Sequence, residues 1–363
     1  MSGTALLIIT ALYLIQVGVL YYGLHRTNDQ AMSTAIPFIS VVIAARDEEE
    51  NLPNCLASLS RQTYPPERFE IIVANDHSID RTTTICHEYA KDHKNFSSFS
   101  TEDNPRLPGK PSALSQAIDK AKGEIIFITD ADCRVPATWI ECTARRYSPE
   151  VGLVGGMTLQ QADGPFHGMQ SLDWAYILGV ASASAALGRP LGSIGNNLSF
   201  RKQAYDEVGG YQNIKFSVTE DYTLVQAILQ TNKWKFLYPI EDKILVESRP
   251  CPTLRSLIQQ KHRWGKGGLD MKFLGFVIMA IGFSMHAVLL CSFIWYSLAA
   301  TGVILLVKFL ADYTFLYRIL ARLGKTDELR YFYWFELYYT LYVLALPFLV
   351  FLGGKVVWKG RRY

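Results

Sequence analysis

Asp130 and Asp132 stand two residues apart, directly after the apolar run Glu124–Thr129 (EIIFIT). Carboxylates at i and i+2 in a loop offer oxygen ligands to a hard cation such as Mg²⁺. Such an ion takes one or two carboxylates and fills its other positions with phosphate oxygens and water. The same placement occurs twice upstream. Arg46-Asp47-Glu48 follows Ile39–Ala45 (ISVVIAA), and Asn75-Asp76-His77 follows Phe69–Ala74 (FEIIVA). Acids therefore end three apolar runs. Grouped carboxylates repel one another, so something cationic belongs among them. Two further groups lie downstream: Thr219-Glu220-Asp221 and Gln260-Lys261-His262-Arg263-Trp264. Each has a plain reading when taken alone. Asp130 reads as a helix cap, Thr219 as an N-cap followed by acids in a first turn, and Trp264 with its basic neighbours as an interfacial anchor. No GxxxxGK[ST] run is present, so a P-loop nucleotide site has no support.

The elements that must hold these residues follow from periodicity. ISVVIAA, FEIIVA and EIIFIT read as buried parallel strands, continuous in apolar residues because both faces are covered. Val151–Met157 and Lys233–Tyr238 read as additional strands. Leu52, Leu56 and Leu59 recur at helical spacing, as do Leu114, Ala117, Ile118 and Ala121, and later Leu224, Val225 and Ile228. The alternation from about Ile36 to Gly268 predicts a layered α/β domain. In open α/β sheets ligands collect at the carboxyl ends of the strands, where the acids stand here.

The two ends of the chain are of another kind. Thr4–Leu24 contains no Asp, Glu, Lys or Arg. Its 21 residues span ~32 Å as a helix, enough to cross a ~30 Å hydrocarbon core. It reads as an uncleaved anchor, and His25-Arg26 after it place the following domain in the cytoplasm. Phe273–Val307 also lacks all four charged types, and two spans fit there, roughly 273–293 and 297–317. A third runs from about Tyr331 to Leu352. Four spans put the C-terminus outside, against the basic tail of Lys355, Lys359, Arg361 and Arg362, unless one segment lies in the interface. Lys308 and Asp312 are four apart and are expected to pair on one helix face.

Composition agrees. The 363 residues are 49% hydrophobic and 19% charged, below the ~25% charged of an ordinary soluble domain. Long disorder is excluded, and a net charge of +3 gives no case for nucleic acid. Six cysteines without C-x-x-C spacing support neither a zinc site nor a redox motif.

Taken together, Asp76, Asp130/Asp132, the T-E-D at 219–221 and the Q-x-x-R-W at 260–264 fall in one order on one domain. This pattern resembles the family 2 inverting glycosyltransferases of GT-A fold, in their membrane-integrated branch with cellulose and hyaluronan synthases and ceramide glucosyltransferases. Pro108-Gly109-Lys110-Pro111 and Gly195-Asn196-Asn197-Leu198-Ser199-Phe200-Arg201 add to the resemblance. It implies a Rossmann-like nucleotide-sugar-binding domain at 36–268. Around it lie an N-terminal transmembrane anchor at 1–26, C-terminal transmembrane helices at 271–354, and a basic tail at 355–363.

The resemblance also implies roles. Glu48, Asp76, Lys110, Asp130, Gln260 and Arg263 would hold a nucleoside-diphosphate sugar, with Arg263 clamping the diphosphate. Asp130 and Asp132 would bind a divalent cation, Mg²⁺ or Mn²⁺. Asp221 would be the catalytic base, and Glu220 and Trp264 would face the acceptor, a lipid hydroxyl in the bilayer. The first-strand motif departs from the family: Ala44-Ala45 replaces its usual proline and Asp47 its asparagine. The expected setting is the cytoplasmic membrane of a bacterium. Two other functions fit less well: a processive polysaccharide synthase, and a non-catalytic, membrane-tethered sugar-nucleotide binder.

Overall fold

The computed structural model describes residues 3–26 and 32–354, and the backbone alone at 357–358 and 361–362. The expected basic tail therefore falls largely outside the described residues. After helix α1 (Gly3–His25), strands and helices alternate: β1 (Ile39–Ala45), α2 (Leu52–Leu59), β2 (Phe69–Asn75), α3 (Thr82–Asp92), β3 (Phe96–Ser100), α4 (Lys110–Lys120) and β4 (Ile125–Ile128). A less regular stretch holds β5 (Cys133–Arg134), α5 (Trp139–Ala144), β6 (Val151–Gly155), β7 (Thr158–Gln160) and the long helix α6 (Pro165–Ala186). Next come β8 (Leu198–Arg201), α7 (Lys202–Glu207), α8 (Gly210–Asn213), α9 (Glu220–Gln230), β9 (Lys235–Leu237), β10 (Val246–Ser248) and α10 (Leu254–Gly267). Three long helices follow, α11 (Phe273–Trp295), α12 (Leu298–Arg322) and α13 (Phe332–Leu352).

The main sheet has seven strands in the order β3-β2-β1-β4-β8-β6-β9. Strands β1, β2, β3 and β4 run parallel, and β8 is antiparallel to both of its neighbours. Ala45 pairs with Asn75 and Val42 with Ile128, so β1, β2 and β4 end along one edge. A smaller sheet, β5-β10-β7, lies beyond that edge in sequence.

Period-2 alternation splits the strands between two cores. Val41 and Ile43 of β1 join Leu52 and Leu56 of α2 and Trp139 of α5. Val42 joins Leu114, Ala117 and Ile118 of α4. The second core does not stop at the domain. It continues through α6 into α1, α12 and α13, where Tyr13, Phe315 and Phe335 are buried. Each fully buried Val, Leu or Ile contributes about 1.5–3 kcal/mol, so this continuity joins the α/β layer firmly to the helical bundle.

Among the described residues, four helices are long and apolar enough to cross a membrane: Thr4–His25, Phe273–Trp295, Leu298–Arg322 and Thr326–Leu352. Their outer faces expose Leu7, Ile15, Ile294, Val303 and Leu341, as a lipid-facing surface requires. Inside, the expected Lys308–Asp312 pair forms at 2.9 Å, and Lys308 also contacts Glu336 of α13. The Tyr13 hydroxyl donates to Asp312 Oδ1 at 2.6 Å. The pair is thus part of a network across α1, α12 and α13, set inside the bundle and away from lipid.

Candidate active site

The loops after β1 and β2 are stitched to each other. Asp47 takes a left-handed backbone (φ 51°) and His77 does likewise (φ 56°), which turns both chains sharply at the strand ends. The Asp47 carboxylate accepts from the Ile79 amide at 2.8 Å, and the Ser78 hydroxyl accepts from the Asp47 amide at 3.0 Å. Asp47, a departure from the family pattern, therefore serves as one tie between the two loops, beside the Glu49 amide donating to Asp80 and the Glu49 carboxylate accepting from the Arg81 amide. Glu48 is buried and accepts from Asn51 Nδ2 at 2.7 Å. Asp76 is buried as well and faces Arg46, whose Nη1 lies 3.8 Å from Asp76 Oδ2.

Asp130 follows β4 and caps no helix. Its Oδ1 lies 2.6 Å from Lys110 Nζ, at the N-terminus of α4. The same ammonium lies 3.3 Å from Glu220 Oε1, at the start of α9. Lys110 thus bridges the D-x-D loop and the T-E-D helix, segments about 90 residues apart in sequence. Thr219 stands at the N-cap position of α9 with Glu220 and Asp221 in the first turn, as expected, but its side chain makes no cap hydrogen bond. The Gly195–Asn197 turn packs against Asp221: a Cβ on Gly195 would lie 3.3 Å from the Asp221 Cβ. Asn197 holds that turn in place through Trp139 Nε1, Met157 O and Ile244 O.

The electrostatics record the same convergence. Burial pushes the Asp221 carboxyl up to about 7, and Glu220 beside it adds to the rise, while Lys110 and Arg263 pull the other way. Burial likewise pushes Asp132 up to about 6, with repulsion from Asp130 and Glu48 adding to it. Burial opposes the charge on Lys110, but Asp130 and Glu220 outweigh it and hold the ammonium above the ordinary lysine range. Glu48, Asp130, Asp132, Lys110, Glu220, Asp221 and Arg263 therefore form one interacting cluster. Asp76 stands beside it at the end of the next strand, held by Arg46.

Gln260, Arg263 and Trp264 lie on α10, half-buried. Gln260 Oε1 is buried without a hydrogen-bond partner, and Trp264 packs against Trp174 of α6 with ring centres 5.3 Å apart. Sequence reasoning missed Arg46, Trp174 and Tyr211. Tyr211 is buried on α8, between α4 and α9, and its hydroxyl has no partner. Arg46 stands directly after the first apolar run, but nothing local gives it a partner, and no local pattern marks Trp174 or Tyr211. They are found only through residues distant in sequence.

Among the described residues, no three His, Cys, Asp or Glu side chains stand together as a ready metal cage. The donors present still suit a hard divalent ion. Asp130 and Asp132 supply two carboxylates whose mutual repulsion a cation would relieve, and such an ion completes its shell with phosphate and water.

Comparison with known proteins places this geometry. The mannosyltransferase PcManGT from Pyrobaculum calidifontis, solved in complex with GDP-Man and Mn²⁺, superposes with a TM-score of 0.64 at 18% identity, covering 96% of this chain and 99% of that one. The fold is accordingly the GT-A α/β fold with apolar helices attached. A beta-monoglucosyldiacylglycerol synthase of Trichormus variabilis is 27% identical over 67% of this chain and 51% of its own length. The glycosyltransferase AglE of Haloferax volcanii is 24% identical over 72% of this chain and 83% of its own. A poly-beta-1,6-N-acetyl-D-glucosamine synthase of Staphylococcus epidermidis is 28% identical over 64% and 55%. The chain spans about half the length of the first of these relatives. The family described as Glycosyl transferase family 21 matches residues 5–363, nearly the whole sequence, and the chain belongs to that family.

Proposed function

We propose that this protein is an inverting glycosyltransferase that moves one sugar from a nucleoside-diphosphate sugar, UDP-linked in our reading, to a hydroxyl of a membrane lipid. One observation carries the reading: Lys110 joins Asp130 on the D-x-D loop to Glu220 beside Asp221, which brings the residues we assign to the diphosphate and to the base together around one cation. The relatives named as lipid glycosyltransferases support the acceptor class.

The chain's own groups divide the work as follows. Glu48 and Asp76 bind the nucleoside at the ends of β1 and β2. Asp130 and Asp132 hold a divalent cation, Mg²⁺ or Mn²⁺, which when bound offsets negative charge on the departing diphosphate. Arg263 grips the diphosphate through its planar fork, and Gln260 adds a hydrogen bond. Asp221 accepts the proton of the acceptor hydroxyl as its oxygen attacks the anomeric carbon. Attack opposite the leaving group inverts that carbon, and no covalent enzyme intermediate forms. A carboxylate with an ordinary value near 3.8 is a weak base, and burial lifts Asp221 to about 7, where it takes a proton effectively at neutral pH.

Glu220 and Trp264 face the acceptor. Trp264 sits on the helix that leads into α11, which places the acceptor side near the bilayer surface. We assign the α/β domain at 36–268 to the cytoplasm, because His25 and Arg26 follow the first span. A second reading, a processive polysaccharide synthase, is favoured by the relative from Staphylococcus epidermidis. Purified enzyme incubated with nucleotide sugars and a lipid extract separates the two by product length: one added sugar supports the first, polymers the second.

A further inference from the structure

Lys261 and Asp173 have no part in the chemistry above, yet their charged ends meet with side chains only 2% and 0% exposed. Asp173 lies on α6, and the Tyr338 hydroxyl of α13 donates to the same Oδ2 at 3.2 Å. The Lys261 ammonium also lies 4.3 Å from the ring centre of Trp264 and 5.1 Å from that of Tyr342. This joint connects α10, α6 and α13. A buried ion pair is a poor source of stability, since apolar residues of like volume serve as well or better. It does impose a direction, because charge and hydrogen-bond geometry admit few alternatives.

That direction matters because of what the helix carries. At 3.6 residues per turn, Lys261 and Arg263 point about 160° apart on α10. The Lys261 side packs on α13: a Cβ at Gly265 would lie 2.5 Å from Val350 Cγ2. The Arg263 side packs on the T-E-D segment: a Cβ at Gly267 would lie 2.3 Å from Thr219 Cγ2. Rotation of α10 about its axis therefore decides whether Arg263 reaches the pocket.

We infer that Lys261 and Asp173 are positioning residues that fix the rotation of α10 and so hold Arg263 on the donor diphosphate. The inference rests on the reading of Arg263 as a diphosphate ligand. It predicts that removing the pair damages donor binding only through Arg263.

The test is a mutant cycle on the full-length protein in detergent, read by calorimetric titration with UDP and with GDP in the presence of Mn²⁺ and by thermal melting. Lys261→Met alone leaves Asp173 buried and unpaired, and is expected to melt early. Lys261→Met/Asp173→Leu removes both charges, and is expected to melt close to the wild type. It should bind the preferred diphosphate about tenfold more weakly, the loss of one charge-assisted hydrogen bond. Adding Arg263→Ala to that pair should give the affinity of Arg263→Ala alone. Losses that multiply, wild-type affinity in the apolar pair, or unfolding of the apolar pair overturn the inference and leave the role of Arg263 intact. Wild-type affinity in Arg263→Ala, or a wild-type chain that binds neither diphosphate, overturns the diphosphate reading and this inference with it.

Discussion

Lys110 Nζ lies 2.6 Å from Asp130 Oδ1, a contact that ties the D-x-D loop to the N-terminus of α4. The ammonium also faces Glu220, so one cation serves both halves of the pocket. Replacing it with methionine keeps the bulk and removes the charge. Lys110→Met should lower kcat/KM about 10²- to 10³-fold, as loss of a preorganised electrostatic group does. Because Lys110 pulls the Asp221 carboxyl down, its removal should also move the pH midpoint of the rate above about 7. A steady-state pH–rate profile of the variant checks both.

Asp221 sets a second expectation. Asp221→Asn should lower turnover about 10²- to 10⁴-fold, the range for a lost general base, while nucleotide affinity changes little. In the wild type, kcat/KM should rise with pH through about 7 as the carboxyl loses its proton. Stability moves oppositely. The folded-state value stands above the ordinary 3.8, so the native state holds the proton more tightly than the unfolded chain. Between about pH 4 and 7 the unfolded chain ionises this carboxyl while the native state keeps its proton, so stability falls across that window, a loss the asparagine avoids. Melting curves at pH 4.5 and pH 8 should show Asp221→Asn gaining on the wild type at the higher pH.

Metal removal separates Asp132 from its neighbour. Activity should vanish in EDTA and return with Mg²⁺ or Mn²⁺. Asp132→Asn should need at least about tenfold more metal for half-maximal rate, since it loses one of few protein ligands. A titration of metal against rate, with wild type alongside, reads this directly.

The intramembrane network predicts a stability effect without a catalytic one. Lys308→Met leaves Asp312 and Glu336 buried without their cation. Removing one partner of a buried pair costs about 3–5 kcal/mol. Thermal melting in detergent should show a large loss. Lys308→Met/Asp312→Leu/Glu336→Leu should recover most of it.

Much of the site was readable from local pattern. Asp130, Asp132, Asp76 and Glu48 follow apolar runs, and parallel pairing of those runs brings their ends to one edge. The spans were readable too, since 273–293 falls within α11 and 297–317 begins one residue before α12 and ends inside it. What stayed hidden depends on distance in sequence or on lack of contrast. Strand β8 has only the four residues Leu198–Arg201, alternating Leu198 and Phe200 with Ser199 and Arg201, too short a run to mark a strand until β4 and β6 pair with it. Helix α6 packs on the bundle and on the sheet at once, so no single apolar stripe betrays it. Lys261 and Asp173 lie 88 positions apart, and each alone looks like an ordinary surface charge.

The proposed reaction is direct displacement at one anomeric carbon, driven by Asp221 and ending on a lipid. Its most direct test is the product's anomeric configuration, read by NMR after the purified protein transfers sugar from an α-linked nucleotide donor to a lipid extract. A single β-linked sugar on a lipid hydroxyl, absent with Asp221→Asn, is the predicted result. An α-linked product, or undiminished transfer by Asp221→Asn, would contradict it.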